Sequence, residues 1–245
     1  TSEAFPGGYV KEPQVGMHDW VMSFDLNSLY PNIIVQYNMS PETILDMSGA
    51  EGATASNGAV FSKAKKGIIP EIVEELYAKR VTVKNEMLDA KTKLESISKR
   101  KRTEYQATAG QVARLETLQT AIKILLNSLY GAMGNKYFRF FDQRIAEAIT
   151  LSGQLTIRWA EVAINKYLNK VLSTKNRDYV IAIDTDSLYV CLDDLVKLVN
   201  PVNKIDFLDK VAQERLEPVL AEACLLYTSD AADDSLRVDL GGRRI

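Results

Sequence analysis

The sequence predicts an α+β fold in which an antiparallel helical hairpin is inserted between short antiparallel strands. Three observations predict this fold. Apolar residues recur at helical spacing over 68–129, with one charged break, KRKR, at 99–102. Short apolar runs typical of strands lie on both sides of that segment, at 21–26 and within 179–192. The later run is divided by the turn-forming residues DTDS, which is typical of a β-hairpin.

The N-terminal elements follow from local signals. Residues 1–20 are interrupted by prolines and glycines and predict an irregular lead-in. The run VMSFDL at 21–26 predicts a buried strand that leads into a helix. Asn27 and Ser28 are candidate caps for that helix, and Pro31 suits its first turn. The small, polar and Gly-rich stretch 48–67 predicts a loop, with room for a short hairpin.

Four longer helices follow in the predicted order. The first, at 68–97, has the predicted inward face Ile69, Ile72, Val73, Leu76 and Tyr77. The second spans 103–129 and is expected to form an antiparallel hairpin with the first. Because a helix of about 28 residues is about 40 Å long, we expect this hairpin to project from the body. The third spans 143–168, with the apolar residues Ile145, Ile149, Leu155, Ile157, Trp159 and Val162. The fourth spans 206–223, with strands at 179–183 and 188–192 before it.

Composition excludes several classes of protein. With 46% hydrophobic and 25% charged residues, the chain is expected to fold around a real core rather than to be disordered. It has no apolar run of about 18 residues, and residues 1–20 lack the apolar region of a signal peptide, so we expect no membrane partner. Two cysteines, Cys191 and Cys224, and the single His18 exclude a disulfide framework and argue against a Cys/His zinc site or a Ser-His-Asp hydrolase. The glycine motifs of P-loop and dinucleotide-binding proteins are absent from the sequence. The expected chemistry of this reduced, intracellular protein therefore uses carboxylates, lysines and arginines.

The charges are unevenly distributed. The net charge is −2, yet 63–144 contains 17 of the 30 lysines and arginines against 9 acidic residues. A basic segment on a nearly neutral chain indicates a place where an anion binds. Long exposed helices are also commonly rich in lysine, so both interpretations stay open.

The acidic candidates lie at strand ends. Asp25 ends the first strand, and Asp184 and Asp186 lie in the predicted hairpin turn. Crowded carboxylates repel unless a cation or hydrogen bonds neutralise them, and Mg²⁺ is typically held by one or two carboxylates together with phosphate oxygens. Asp is also common in turns and at helix caps, so the alternative is that these three aspartates are ordinary turn or cap residues.

The basic candidates are spaced by one helical turn. Lys123 and Asn127 share a helix face, with Tyr130 and Gly131 close behind, and Arg80 and Lys84 have the same spacing on the partner helix. If the hairpin folds back on itself, these groups converge on one phosphate chain. The alternative is a set of unrelated solvated side chains.

Three motifs together resemble family B DNA polymerases. S-F-D-L-N-S-L-Y-P-N-I-I at 23–34 is similar to motif A of that family, K-I-L-L-N-S-L-Y-G at 123–131 to motif B, and I-D-T-D-S at 183–187 to motif C. The order and intervals also match. The stretches YNMSPETI at 37–44 and GAMGNKYFRFFD at 131–142 resemble the T4-like phage replicative enzymes, and the resemblance covers about 1–223.

The resemblance implies a specific architecture. It implies an incomplete antiparallel-sheet palm, with its N-terminal part at 1–62 and its C-terminal part at 136–224, and helical fingers at 63–135.

The tail at 225–245 has no clear period and is expected to be non-native, derived from an adapter or vector. Family segments for an exonuclease, a thumb and a lysine-rich palm motif are not found, so we expect a fragment that extends primers poorly by itself. The Cα atoms of Asp25 and Asp186 are expected within about 10 Å of each other, as two ligands of one metal site require.

The resemblance also implies an activity: DNA-templated transfer of dNTPs to a primer 3′ end by a two-metal mechanism with two Mg²⁺ ions. Its implied partners are primer-template DNA and dNTPs, with a sliding clamp and other replisome proteins for the full-length enzyme, in the host-cell cytoplasm. The competing hypothesis is a non-catalytic nucleic-acid-binding module that uses the basic hairpin.

Residue roles carry over by motif position. The implied catalytic carboxylates are Asp25 and Asp186 with Asp184 in support, and the implied metal ligands are Asp25, Asp186 and the backbone carbonyl of Leu26. The implied dNTP-binding residues are Ser28, Leu29, Tyr30, Arg80, Lys84, Lys123, Asn127, Tyr130 and Gly131. Tyr30 is similar to the steric-gate tyrosine that excludes a ribose 2′-OH, and Tyr130 and Gly131 would border the nascent base pair. Ile183 departs from the pattern, because many relatives have a small residue there.

Overall fold

The computed structural model describes residues 7–46, 51–97 and 101–226. The strands are β1 (Val10–Lys11), β2 (Val21–Asp25), β3 (Ile44–Leu45), β4 (Ala53–Thr54), β5 (Val60–Phe61), β6 (Val180–Asp184) and β7 (Ser187–Cys191). The helices are α1 (Leu29–Gln36), α2 (Ile68–Ser96), α3 (Arg102–Met133), α4 (Gln143–Val171), α5 (Asp193–Val199), α6 (Lys204–Val211) and α7 (Glu217–Leu226). A π-helical segment, Ala212–Leu216, joins α6 to α7. The mixture of helices and antiparallel sheets confirms the α+β class.

Two antiparallel sheets are present in the described part of the chain. The larger has the strand order β1–β6–β7–β2, so the first predicted strand lies beside the predicted hairpin. The smaller has the order β3–β5–β4. It confirms the short hairpin expected within 48–67, although 47–50 lie outside the described residues.

Alternation along β2 sets which side chains face the core. Met22 and Phe24 are buried, and they join Leu188 and Val190 of β7 in the main hydrophobic cluster, together with the buried face of α4. Since successive side chains of a strand point to opposite faces, Asp25 lies on the face away from Phe24. The sequence of β2 therefore directs its terminal carboxylate away from the core.

The predicted helical hairpin is confirmed. Helices α2 and α3 pack along each other, with buried side chains of both helices between them, namely Val83, Met87, Ala90, Val112 and Leu115. Lys91 of α2 forms an ion pair with Glu116 of α3 at 3.3 Å. Helix α3 extends to Met133 rather than to 129. The charged break lies partly outside the described residues, because 98–100 are not among them.

Some local predictions were wrong. Ile72 is 40% exposed, Trp159 49% and Val162 60%, because the buried stripe of each helix is narrower than its set of apolar residues. Helix α5 was not predicted, because DDLVKLV spans only two turns and shows no clear period. Ser28 precedes α1 as expected for a cap residue, but its side chain makes no capping hydrogen bond.

The C-terminal tail lies almost wholly outside the described residues. Of the range 225–245, for which a non-native origin was predicted, residues 227–245 are not described. Within the described part of the chain, we find no helix that is both long and apolar enough to cross a membrane.

Candidate active site

The predicted catalytic carboxylates Asp25 and Asp186 lie together at one end of the β2–β7 strand pair. Asp25 pairs across the sheet with Ser187, whose hydroxyl donates to Asp25 Oδ1 at 3.1 Å. The backbone N–H of Leu26 donates to the carbonyl of Asp186 at 2.8 Å. Paired Cα atoms in antiparallel strands lie about 4.5–5.5 Å apart and consecutive ones about 3.8 Å, so Asp25 and Asp186 satisfy the expected 10 Å limit.

The turn that carries Asp186 has an uncommon backbone. Thr185 has φ 55°, and the N–H of Asp186 donates to the carbonyl of Asp184 at 2.6 Å, which closes a three-residue γ-turn. Such conformations cost about 1–3 kcal/mol for a β-branched residue and persist where the surroundings hold them. Here the N–H of Thr185 donates to the carbonyl of Tyr9 at 2.9 Å, so the N-terminal lead-in fixes the turn. Ser28, on the other side of Asp25, has φ 54°.

The electrostatics of this strand end favour a cation. Burial, and then the charge of Asp25, raise the pKa of the Asp186 carboxyl, while Lys123 acts in the opposite direction. The ionised carboxylates therefore destabilise each other in the protein alone. A hard divalent cation neutralises such a pair, and carboxylate oxygens are its preferred ligands, so these residues fit Mg²⁺.

The two carboxylates line a cleft of about 110 Å³ between the sheet end and the helical hairpin. Its walls come from the end of β2, the start of α1, the motif C turn, and facing positions of α2 and α3. The lining residues are Asp25, Asn27, Ser28, Leu29, Tyr30, Pro31, Arg80, Lys123, Leu126, Asn127, Thr185 and Asp186. The fold thus collects acidic and basic groups that lie far apart in the sequence.

Arg80 provides a second electrostatic feature of the cleft. Its Nη1 donates to the hydroxyl of Ser28 at 3.4 Å, a long contact, and its buried Nε has no hydrogen-bond partner among the described residues. A buried guanidinium N–H without a partner is uncommon and costly. An anionic ligand such as a phosphate would satisfy it with a charge-assisted hydrogen bond.

Tyr30 forms an aromatic pair in the cleft. Its ring lies against that of Tyr130, with centroids 4.6 Å apart and planes tilted by 35°. Burial, followed by the nearby Tyr130 and Asp186, raises the pKa of Tyr30 to about 12. Tyr30 therefore remains a neutral phenol at physiological pH.

Five predicted site residues, all within the described chain, do not line this cleft: Leu26, Lys84, Asp184, Tyr130 and Gly131. Leu26 is buried, and Asp184 pairs with Ser187 on the far side of the turn. The ring of Tyr130 nevertheless packs against that of Tyr30, which lines the cleft.

Other members of the site were not predicted from the sequence. Asn27, Pro31, Leu126 and Thr185 line the cleft, and Ser187 holds Asp25. Ser187 could have been predicted from the sequence. It directly follows Asp186 in DTDS, so it lies beside the end of β2 if the predicted hairpin pairs with that strand.

A separate polar cluster lies at the opposite end of β2 and β7. One donor atom each of His18, Cys191 and Asp193 lie within 4.8 Å of one another. The carboxylate of Asp193 accepts from the N–H of Trp20 at 2.7 Å and from the N–H of Asp19 at 3.3 Å, and His18 Nε2 lies 3.2 Å from the carbonyl of Gln14. Burial raises the pKa of the Cys191 thiol. The Asp193 carboxylate and His18 Nε2 thus already have protein partners.

Comparisons with known proteins identify similar chains. The model of DNA polymerase family B matches residues 1–213. The DNA-directed DNA polymerase of Escherichia phage RB69 is 34% identical over 276 aligned positions, which cover 89% of this chain and 30% of that protein. That of Enterobacteria phage T4 is 33% identical, covering 89% of this chain and 31% of that protein. The DNA polymerase of Pyrococcus glycovorans is 33% identical, and the alignment covers 78% of this chain and 22% of that protein. The chain therefore spans about 30% of the length of the phage relatives.

Proposed function

Since the chain belongs to DNA polymerase family B and is T4-like, we propose that the whole protein carries out DNA-templated DNA synthesis, adding dNTPs to a primer 3′ end. The observation that carries the proposal is the cleft in which Asp25 and Asp186 face Arg80 and Lys123. Two-metal nucleotidyl transfer needs carboxylates on one side of a triphosphate and cations on the other. This cleft supplies both.

The acidic side is assigned to metal binding. Asp25, Asp186 and the backbone carbonyl of Leu26 would hold two Mg²⁺ ions, and Asp184 supports the turn. Ions held by these residues would supply charge stabilisation for the attacking and leaving oxygens. The raised pKa of Asp186 and its proximity to Asp25 support this assignment.

The basic side is assigned to the triphosphate. Arg80, Lys123 and Asn127 line the cleft and would bind phosphate oxygens, and Lys84 lies one helical turn from Arg80. The buried Nε of Arg80 supports this role because it lacks a partner among the described residues. By fixing the triphosphate against the strand end, these side chains would orient the α-phosphate for in-line attack.

The aromatic pair is assigned to the sugar and the base. Ser28 and Leu29 would line the triphosphate and deoxyribose, and Tyr30 would exclude a 2′-OH. Tyr130 and Gly131 would border the nascent base pair. The neutral, tightly packed ring of Tyr30 supports a steric rather than an acid–base role.

The same proposal extends to architecture and partners. We infer that 1–62 and 136–224 form the palm and 63–135 the fingers of a longer enzyme. Its partners would be primer-template DNA and dNTPs, with a sliding clamp and other replisome proteins, in the host-cell cytoplasm.

A second candidate function is a non-catalytic nucleic-acid-binding module, favoured by the excess of basic residues at 63–144. Two measurements on the chain distinguish them: the affinity for a primer-template duplex as a function of salt, and the affinity for dATP with and without Mg²⁺. The polymerase proposal predicts Mg²⁺-dependent dATP binding that Asp25→Ala and Asp186→Ala each abolish. Salt-dependent DNA binding unaffected by either substitution, with no Mg²⁺-dependent dATP binding, would favour the binding module and contradict the polymerase proposal.

A further inference from the structure

Gly153 lies in the buried face of α4, beneath the start of α1. A Cβ added at this position would lie 2.8 Å from Cε1 and 3.3 Å from Cδ1 of the Tyr30 ring. Carbon atoms do not approach each other to 2.8 Å without displacement. The ring of Tyr30 therefore occupies the space that any side chain at position 153 would need.

The glycine is not explained by the helix itself. Alanine is more favourable than glycine inside a helix, because glycine has more conformational freedom to lose on folding. Backbone crowding does not explain it either: besides Tyr30, the nearest atom to the added Cβ is Ile33 Cδ1 at 3.5 Å, an ordinary contact. Among the described residues, the tyrosine ring is the one group within 4 Å that meets the added atom too closely.

The ring of Tyr30 also contacts α3. Tyr130 of α3 lies against Tyr30 with ring centroids 4.6 Å apart and planes tilted by 35°, so residues of both α3 and α4 contact the ring. A side chain at position 153 would have to displace this ring, which lines the cleft. Its position relative to a bound sugar would then change.

We propose that Gly153 is a positioning residue for sugar selection: the missing side chain at 153 sets the depth of the Tyr30 ring in the cleft. This inference rests on the proposed function, in which Tyr30 faces the sugar of the incoming nucleotide. Gly153 itself touches neither nucleotide nor metal and acts through the ring.

The packing part is tested by a double-mutant cycle in the thermal unfolding of the chain. Gly153→Ala is expected to lower Tm by about 2–10 °C through overpacking, whereas Gly153→Ala in a Tyr30→Ala background leaves Tm unchanged or raises it. Gly110→Ala is the matched control, because Gly110 lies inside α3 with no atom within 4 Å of an added Cβ. Tyr30→Phe retains the ring, so the loss caused by Gly153→Ala should persist in that background.

An equal loss of Tm with and without the ring overturns the inference. If Gly153→Ala fails to fold, the second variant decides. Folding that is restored when Tyr30→Ala is added supports the inference, and a double variant that also fails to fold, while Tyr30→Ala alone folds, overturns it.

The functional part is tested in a full-length polymerase carrying this segment, by the ratio of kcat/KM for a dNTP to that for the matching rNTP. We expect Gly153→Ala to change this ratio about tenfold, an effect that a merely structural role would not have, and to leave it unchanged in the Tyr30→Ala background. An unchanged ratio in Gly153→Ala, while Tyr30→Ala increases ribonucleotide use, overturns the positioning role alone. An unchanged ratio in Tyr30→Ala instead overturns the sugar-gate assignment on which the inference rests.

Discussion

The two ends of the β2–β7 strand pair each present carboxylates, but under opposite conditions. At the Cys191 end, the carboxylate of Asp193 accepts two backbone N–H groups. At the other end, Asp186 lies beside Asp25 in a turn with positive φ at Thr185, and its pKa is raised. The first carboxylate stabilises the fold, whereas the second is held in an unfavourable state that a ligand would relieve. Such differences between similar groups separate structural residues from functional candidates.

The largest difference between the two strand ends is expected in the rate of catalysis. In a full-length polymerase carrying this segment, Asp186→Asn should lower the single-turnover rate of primer extension by about 10³-fold, because several kcal/mol of charge stabilisation are lost. Asp193→Asn, at the other end of the same strands, is the matched control and should remain within a few-fold of wild type. Equal losses in both variants would contradict the division between the two ends.

The basic wall of the cleft has the next largest predicted effect. Arg80→Met and Lys123→Met should each raise KM for dNTPs by about 10–100-fold, because each removes a charge-assisted hydrogen bond to phosphate. Lys91→Met is the control, since Lys91 lies on the same hairpin but pairs with Glu116. Steady-state kinetics that show the same KM for all three variants would exclude the hairpin cations from triphosphate binding.

The structural end should dominate stability. Asp193→Ala removes the acceptor of the Trp20 and Asp19 N–H groups and should lower the free energy of unfolding by about 1–3 kcal/mol. Urea unfolding of the metal-free chain measures it. Asp25→Ala is the comparison at the opposite end, and a larger loss there than in Asp193→Ala would contradict the assignment of Asp193 as the structural carboxylate.

The smallest predicted effect has the opposite sign. A carboxyl whose pKa is raised by folding contributes stability below its unfolded pKa and loses that contribution as pH rises through its folded pKa. Ionised Asp186 therefore costs stability at pH 7 without metal, and Asp186→Asn should unfold at a higher urea concentration than wild type in EDTA. The difference should shrink as the pH falls through the raised pKa of Asp186, because the wild-type carboxyl then becomes protonated and neutral. A destabilised Asp186→Asn at pH 7 would show that Asp186 is a structural residue.

The Asp25 end of the sheet was predicted more fully than the Cys191 end. Asp25 and Asp186 were expected to meet because the resemblance to family B polymerases implies that they are ligands of one metal site. Arg80 and Lys123 were expected to converge if the helical hairpin folds back on itself. The cluster at Cys191 depends on the register between β2 and β7, which no local pattern contains. The role of Gly153 depends on where the ring of Tyr30 lies, and the exposure of Trp159 depends on which face of α4 meets the sheet.

Metal binding by the chain tests the central claim most directly, with Mn²⁺ as a paramagnetic substitute for Mg²⁺ and a non-hydrolysable dATP analogue as the triphosphate. The account predicts that wild type and Asp193→Asn bind Mn²⁺ alike by electron paramagnetic resonance titration, more tightly with the analogue present. Asp25→Asn and Asp186→Asn should each weaken that binding at least about tenfold, the loss of one charged ligand. Equal Mn²⁺ binding by all four proteins, or a loss confined to Asp193→Asn, would contradict the account.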